Sequence, residues 1–227
     1  MSRELFLDRV RQAARQGQAH RVDVQSVPPG TGYVGAAGDL CEALAREIDA
    51  VGGLAYLVAD YQAAREVVTR LLREQQAMSA LCWRHPVLEE LALDRLLVEL
   101  GIHRHDYASL SMLAAPLQRR EQLACDVGIT GVDQAIAETG TLVMWHGARR
   151  ERIASLLPPM HIAIVHRSQI VADLFDAVGL LLENGADNMP SNVTLITGPS
   201  KTGDIELQLT TGVHGPGKWR VVIVSGE

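Results

Sequence analysis

Lysine is nearly missing from this chain: Lys201 and Lys218 are the only two, and every other basic side chain is arginine. Cysteine is also scarce. Cys41, Cys82 and Cys125 stand far apart in apolar surroundings, with no CxxC pair to seat a zinc ion or an iron–sulfur cluster, so they read as buried thiols. The formal charge of −6 and the scattered arginines exclude nucleic acid as the main partner. No apolar run approaches the roughly 18 residues that a membrane span needs. The opening MSRELFLDRVRQAARQ reads as a charged amphipathic helix rather than a signal peptide, so a cytoplasmic location is expected.

Several catalytic signatures are absent as well. The GxSxG elbow of serine hydrolases does not occur. GTGYVG at residues 30–35 matches the dinucleotide fingerprint in letters only, because Pro28 and Pro29 precede it and nothing upstream reads as a strand. Residues 200–202, SKT, lack the glycine before the lysine and the capped helix after it that a phosphate loop requires.

What is present is enough apolar residue, 47% of 227, to bury a full core. Ser2 can cap a first helix with Leu5, Phe6, Val10 and Ala13 at helical spacing and Gly17 at its end. Residues 18–38 then lose periodicity and are rich in Pro and Gly, which makes residues 1–36 an N-terminal helical arm and residues 37–227 the main domain. From there a β/α rhythm begins. Asp39 and Asp60 cap helices on either side of the strand LAYLVA at 54–59, and Pro86 opens a helix that runs to Gly101. Residues 80–83, 141–145, 162–165, 193–197 and 221–224 read as short strands, with helix at 117–125 and a turn at 128–133. Most of these strands are apolar without alternation, the mark of strands covered on both faces. The expected fold is therefore α/β, a three-layer, Rossmann-like, mostly parallel sheet between helices. Residues 206–209 are expected to add an antiparallel edge strand.

Chemistry concentrates in two places. Residues 198–218, GPSKTGDIELQLTTGVHGPGK, set both lysines, hydroxyls, carboxylates and a histidine among glycine turns able to present N–H groups to an anion. In AIAETGT at 135–141, Glu138 follows a small-residue helical turn and precedes a strand, a position suited to a general base or to a capping carboxylate. His103, His105 and Asp106 could begin a metal site but have no further ligand set, and His161 and His166 read as edge residues of a strand.

Three strings, GITGVDQAIAETGTLVM at 128–144, LLPPMHIAIV at 156–165 and residues 192–224 with GPSKTGDIE and GVHGP, resemble the lactate-utilisation protein C family, which consists of a LUD domain. The resemblance implies a fold akin to the ribose-phosphate isomerase and CoA-transferase superfamily. It also implies a part in oxidising L-lactate to pyruvate beside partner subunits that carry iron–sulfur clusters, with no cofactor in this chain. Carried over, the motif residues are Glu138, Thr139, Gly140 and Thr141, then Gly198, Ser200, Lys201, Thr202, Asp204, Glu206, His214 and Gly215. Lys201 stands where arginine is common and Gly203 where alanine is common, and lysine lacks the two-pronged grip of arginine on a carboxylate. The expected site has Glu138 to Thr141 facing residues 200–204 at the carboxyl ends of parallel strands, around a small carboxylate or other anion. Three readings stand side by side: an accessory or substrate-binding subunit, a free-standing isomerase- or CoA-transferase-like enzyme with Glu138 as base or nucleophile, and a non-catalytic scaffold.

Overall fold

The computed structural model describes residues 3–18, 33, 35–147, 149–183, 185, 188–202 and 210–226. These fall into two compact units, Met1–Val34 and Gly35–Glu227. The first holds helix α1 (Arg3–Gln18), on which Leu5, Phe6 and Val10 are exposed and Asp8 pairs with Arg11 at 3.0 Å. The proposed Ser2 cap and most of the connection at 18–38 lie outside the described residues. The second unit starts at Gly35, where Ala36 N–H donates to Ala172 O at 3.2 Å.

The Asp39 carboxylate caps α2 (Leu40–Ala50) by accepting from Cys41 N–H at 2.8 Å, and Asp60 caps α3 (Tyr61–Glu74) through Ala63 N–H at 2.8 Å. Between them runs β1 (Leu54–Val58), and β2 (Ser79–Cys82) follows. The single helix expected from Pro86 to Gly101 is two, α4 (Pro86–Glu90) and α5 (Leu93–Leu100). Ala92 breaks it with a left-handed φ of 52°, and Arg65 donates to the carbonyls of Leu91 and Ala92 at 3.3 and 2.9 Å, the latter also accepting from Leu96 N–H at the start of α5. Next come β3 (His103–His105), α6 (Tyr107–Ser111) and α7 (Ala115–Leu123).

Two segments differ from the sequence reading. Gly128, expected in a turn, lies inside β4 (Val127–Thr130), because its missing Cβ is the room through which the strand passes the backbone of Ala154. The small-residue stretch expected to be a helical turn is β5 (Gln134–Ile136), paired antiparallel with β6 (Thr141–His146). The remaining elements are α8 (Ile153–Leu156), β7 (Met160–His166), β8 (Ile170–Val171), α9 (Leu174–Glu183), β9 (Asn192–Ile196), β10 (Lys201–Thr202), β11 (Thr210–Thr211) and β12 (Lys218–Val224).

Six strands form a wholly parallel sheet in the order β1-β12-β7-β4-β2-β3. Its faces are buried differently. Val222 and Val224 of β12 join the core under α3, α4 and α5, whereas Trp219, Val221 and Ile223 join a second core with Leu44 and Ile48 of α2. This alternation is why the strand reads as continuously apolar. The second face is covered by α2 together with a four-stranded mixed sheet, β8-β5-β6-β9, which contributes Ala135 and Leu142. The strands expected at 141–145 and 193–197 thus belong to this smaller sheet and not to the parallel one, since β6 and β9 pair antiparallel with each other. The edge strand expected at 206–209 lies outside the described residues.

Candidate functional site

The two motif segments meet at the C-terminal end of α2. Gly140 has φ 64°, and a Cβ there would stand 2.7 Å from the backbone of Glu47 and Ile48. Gly198 has φ 94°, and its Cβ would stand 3.0 Å from Val51 O. Both glycines are therefore required by conformation and by close approach to the helix. A chain of hydroxyls joins the segments: Thr139 to Thr141 at 2.7 Å, and Thr141 to Thr197 at 2.7 Å.

Beyond Gly198 the chain crosses the VHGPG loop. Ser200 N–H donates to Pro216 O, and Gly212 N–H donates to Ser200 O, each at 2.9 Å. Behind this crossing lies a cavity of about 260 Å³, walled by β9 and residues 197–200, by His214 to Pro216, by Ser155 and Leu156, and floored by His161 and Trp219. His161 and Trp219 are register partners in β7 and β12 near the amino ends of those strands. The cavity thus opens at the amino ends, opposite to the carboxyl ends where the sequence placed it. Residues 197–200 lie at that end because they cross the loop that leads into β12, Ser200 N–H bonding Pro216 O just before the strand begins.

The floor carries the chemistry. His161 is fully buried, and its Nε2 lies 2.8 Å from Thr130 Oγ1. Thr130 is itself fully buried, and this is the one hydrogen bond of its hydroxyl among the described residues. The hydroxyl proton is satisfied only by donation to Nε2, which leaves the imidazole proton on Nδ1. Burial pushes the His161 pKa down to about 3, so the ring is neutral at ordinary pH. His161 Nδ1 and Trp219 Nε1 are both buried and have no hydrogen-bond partner among the described residues. The floor of the cavity thus presents two neutral N–H donors in search of an acceptor, each costing stability while unmet.

The expected site residues take different places. Ser200, Gly198 and His214 line the cavity, His214 at its exposed rim. Thr141 and Thr139 support it through Thr197, and Gly140 seats it on α2. Lys201 points elsewhere: its ammonium donates to Val51 O at 2.5 Å, so it closes the end of α2 and is not aimed at a bound anion. Thr202 pairs in the β10–β11 hairpin. Glu138 is half-buried, is absent from the cavity wall, and donates its backbone N–H to Ala172 O at 3.3 Å. Asp204 and Glu206 lie outside the described residues. Asp106, considered as a metal ligand, instead caps α6 and pairs with Arg104 at 2.7 Å. His161, read as an edge residue, is interior, because β7 sits between β12 and β4. The signal for it was available in the string PPMHIAIV, where a histidine stands inside an otherwise apolar central strand.

The model of the LUD domain family matches residues 41–224. The chain belongs to that family. Lactate utilization protein C of Halalkalibacterium halodurans is 32% identical over 153 residues, covering 66% of this chain and 64% of the relative. Lactate utilization protein C of Bacillus subtilis is 40% identical over 111 residues, 48% of this chain and 45% of the relative. The matched part thus spans about half to two thirds of such relatives' own length. A crystal structure of a DUF162 family protein from Deinococcus radiodurans superposes with a TM-score of 0.58 at 21% identity, over 82% of this chain and 96% of that one. That likeness shows the fold, a mixed α/β domain around a parallel sheet.

Proposed function

We propose that this chain is a non-redox, ligand-binding component of a lactate utilisation system, and that the cavity above His161 and Trp219 holds a small 2-hydroxy or 2-oxo acid. The single observation that carries the site is that His161 Nδ1 and Trp219 Nε1, both buried on its floor, have no hydrogen-bond partner among the described residues. An oxygen of lactate or pyruvate accepts from them, while the carboxylate stays at the wetter rim beside Ser200 and His214. A neutral floor with a solvated rim avoids the cost of burying an unpaired carboxylate. The relatives' name supports the system in which this happens.

Electron transfer falls to iron–sulfur partner subunits in this reading. Cys41, Cys82 and Cys125 are all buried, and burial raises the Cys82 and Cys125 thiols to about 12 and about 11. Such thiols are poor cluster ligands and suit a reducing cytoplasm. No helix among the described residues is long and apolar enough to cross a membrane.

Calorimetric titration of L-lactate and pyruvate into the wild-type chain and Trp219→Phe tests the site. Phenylalanine keeps the ring in the core and removes the N–H. Affinity is expected to fall about tenfold, the worth of one buried hydrogen bond, with thermal stability unchanged or slightly raised. Equal binding by both proteins, or no binding of either acid at millimolar concentration, contradicts the proposal.

A further inference from the structure

The parallel sheet has a second feature that the amino-end cavity does not use. From β2 the chain moves outward to its neighbour β3, whereas from β4, on the other side of β2, it moves the opposite way to β7. The carboxyl ends of β2 and β4 are therefore a topological switch point. Beside it, at the carboxyl end of β2 and under the α4–α5 crossover to β3, lies a crevice, at the end of the sheet where open α/β folds take their ligands.

That crevice is furnished. It has a volume of about 330 Å³, with Trp83, Arg84, His85, Ala92, Asp94 and Arg104 in its wall. Directly after β2, His85 is buried, and its ring lies against Gly131, the first residue after β4; a Cβ on Gly131 would run into the imidazole. Val87 N–H donates to His85 Nδ1 at 3.4 Å, so the proton of the neutral ring sits on Nε2. Burial, and then the charge of Arg150, push this histidine down to about 4, which keeps it neutral.

Charge is supplied by arginine. Asp106 Oδ2 is shared between Arg104 at 2.7 Å and Arg84 at 3.2 Å, and Arg104 also meets Asp94 at 2.9 Å. Arg104 is thus bonded to Asp106, flanked by Asp94 without hydrogen-bond geometry, and mostly buried. Arg84 has the longer share of an oxygen already taken, and its side chain is 47% exposed. It is able to turn toward a ligand, whereas Arg95, the third guanidinium of the wall, is drawn away by Glu99 at 2.9 Å. The far wall includes Ala92 in its left-handed conformation, a strained non-glycine residue of the kind that structures retain at binding sites.

We propose that this crevice at the carboxyl end of β2 is a second ligand site, distinct from the amino-end cavity, that takes a small molecule bearing a carboxylate or phosphate group, with Arg84 on the oxyanion and His85 Nε2–H on one of its oxygens. The proposal stands on the cavity and on these side chains, and it is independent of the reading given to the other cavity.

Calorimetry with malonate and with inorganic phosphate, on the whole chain, tests it. Heat with one probe and not the other identifies the group recognised. Arg84→Ala is expected to weaken binding about tenfold or more, as a charge-assisted bond is lost. His85→Asn keeps a side chain that caps α4 well while removing Nε2–H, and is expected to weaken binding with the melting temperature retained. Trp219→Phe, which alters only the other cavity, should leave the affinity for these probes unchanged. Absence of binding by the wild type at millimolar probe, or affinity unchanged in either crevice variant, overturns the proposal.

Discussion

The amino-end cavity and the carboxyl-end crevice face opposite ends of one sheet and are built on opposite principles. The cavity is neutral: its floor holds Trp219 and a His161 stripped of charge by burial, and the nearest lysine is spent on the end of α2. The crevice is ionic: two guanidiniums share one carboxylate beside a second neutral histidine. The motif glycines belong to the first, where Gly140 and Gly198 let loops approach a helix. The second lies at the carboxyl end of β2, under its crossover to β3. A conspicuous motif therefore marks where backbones come close, which is a different matter from where a sheet opens.

The comparison breaks hardest at Gly140. Alanine there adds a Cβ 2.7 Å from the α2 backbone and imposes strain at φ 64°, so Gly140→Ala should cost about 3 kcal/mol or more in urea unfolding. Crevice variants such as Arg84→Ala should cost far less. A Gly140→Ala protein as stable as wild type would remove the α2 contact from the account.

Acid probes both regions at once. His85 and His161 are both depressed below the ordinary 6.5, so between that value and about 4 the unfolded chain binds protons that the folded chain does not. Stability is complete above the unfolded value and falls as pH drops through this window, by about 1.4 kcal/mol per pH unit for each ring. His85→Asn should halve the slope from these two rings. Urea midpoints measured across the window check this, and an unchanged slope in His85→Asn would show that the crevice histidine is not held neutral.

Lys201 gives the smallest effect and the sharpest contrast with the sequence. Among the described residues the exposed ammonium bonds the Val51 carbonyl alone, so Lys201→Ala should change stability by less than about 1 kcal/mol. It should also leave lactate and pyruvate affinity untouched. A large loss of binding in Lys201→Ala would restore the lysine as an anion clamp.

These contrasts show what could be read from the chain. Asp39 and Asp60 announced their helices because an N-cap is a local event, and the apolar run of β12 announced a sheet covered on both faces. The smaller sheet was hidden. Thr141 to Trp145 reads like any buried strand, and nothing local says that its partners are β5 and β9 in antiparallel pairing. With that ambiguity the sequence reading set residues 200–204 at the carboxyl ends of parallel strands, whereas Ser200 lies beside the amino end of β12. Residues 198–200 and His214 were legible as a cluster of glycine turns and hydroxyls, and the structure brings them to the wall of one cavity. His161 and Trp219 were missed because a lone polar atom in an apolar strand reveals its missing partner only once the strand is packed.

The most direct test of the central claim is a ¹⁵N–¹H spectrum of the indole and imidazole N–H groups during a pyruvate titration. Trp219 Nε1–H and His161 Nδ1–H should move together as they gain an acceptor, while the Trp83 indole, already bonded to Glu151 O at 2.9 Å, stays in place. Saturable binding that shifts neither Trp219 nor His161 would contradict it.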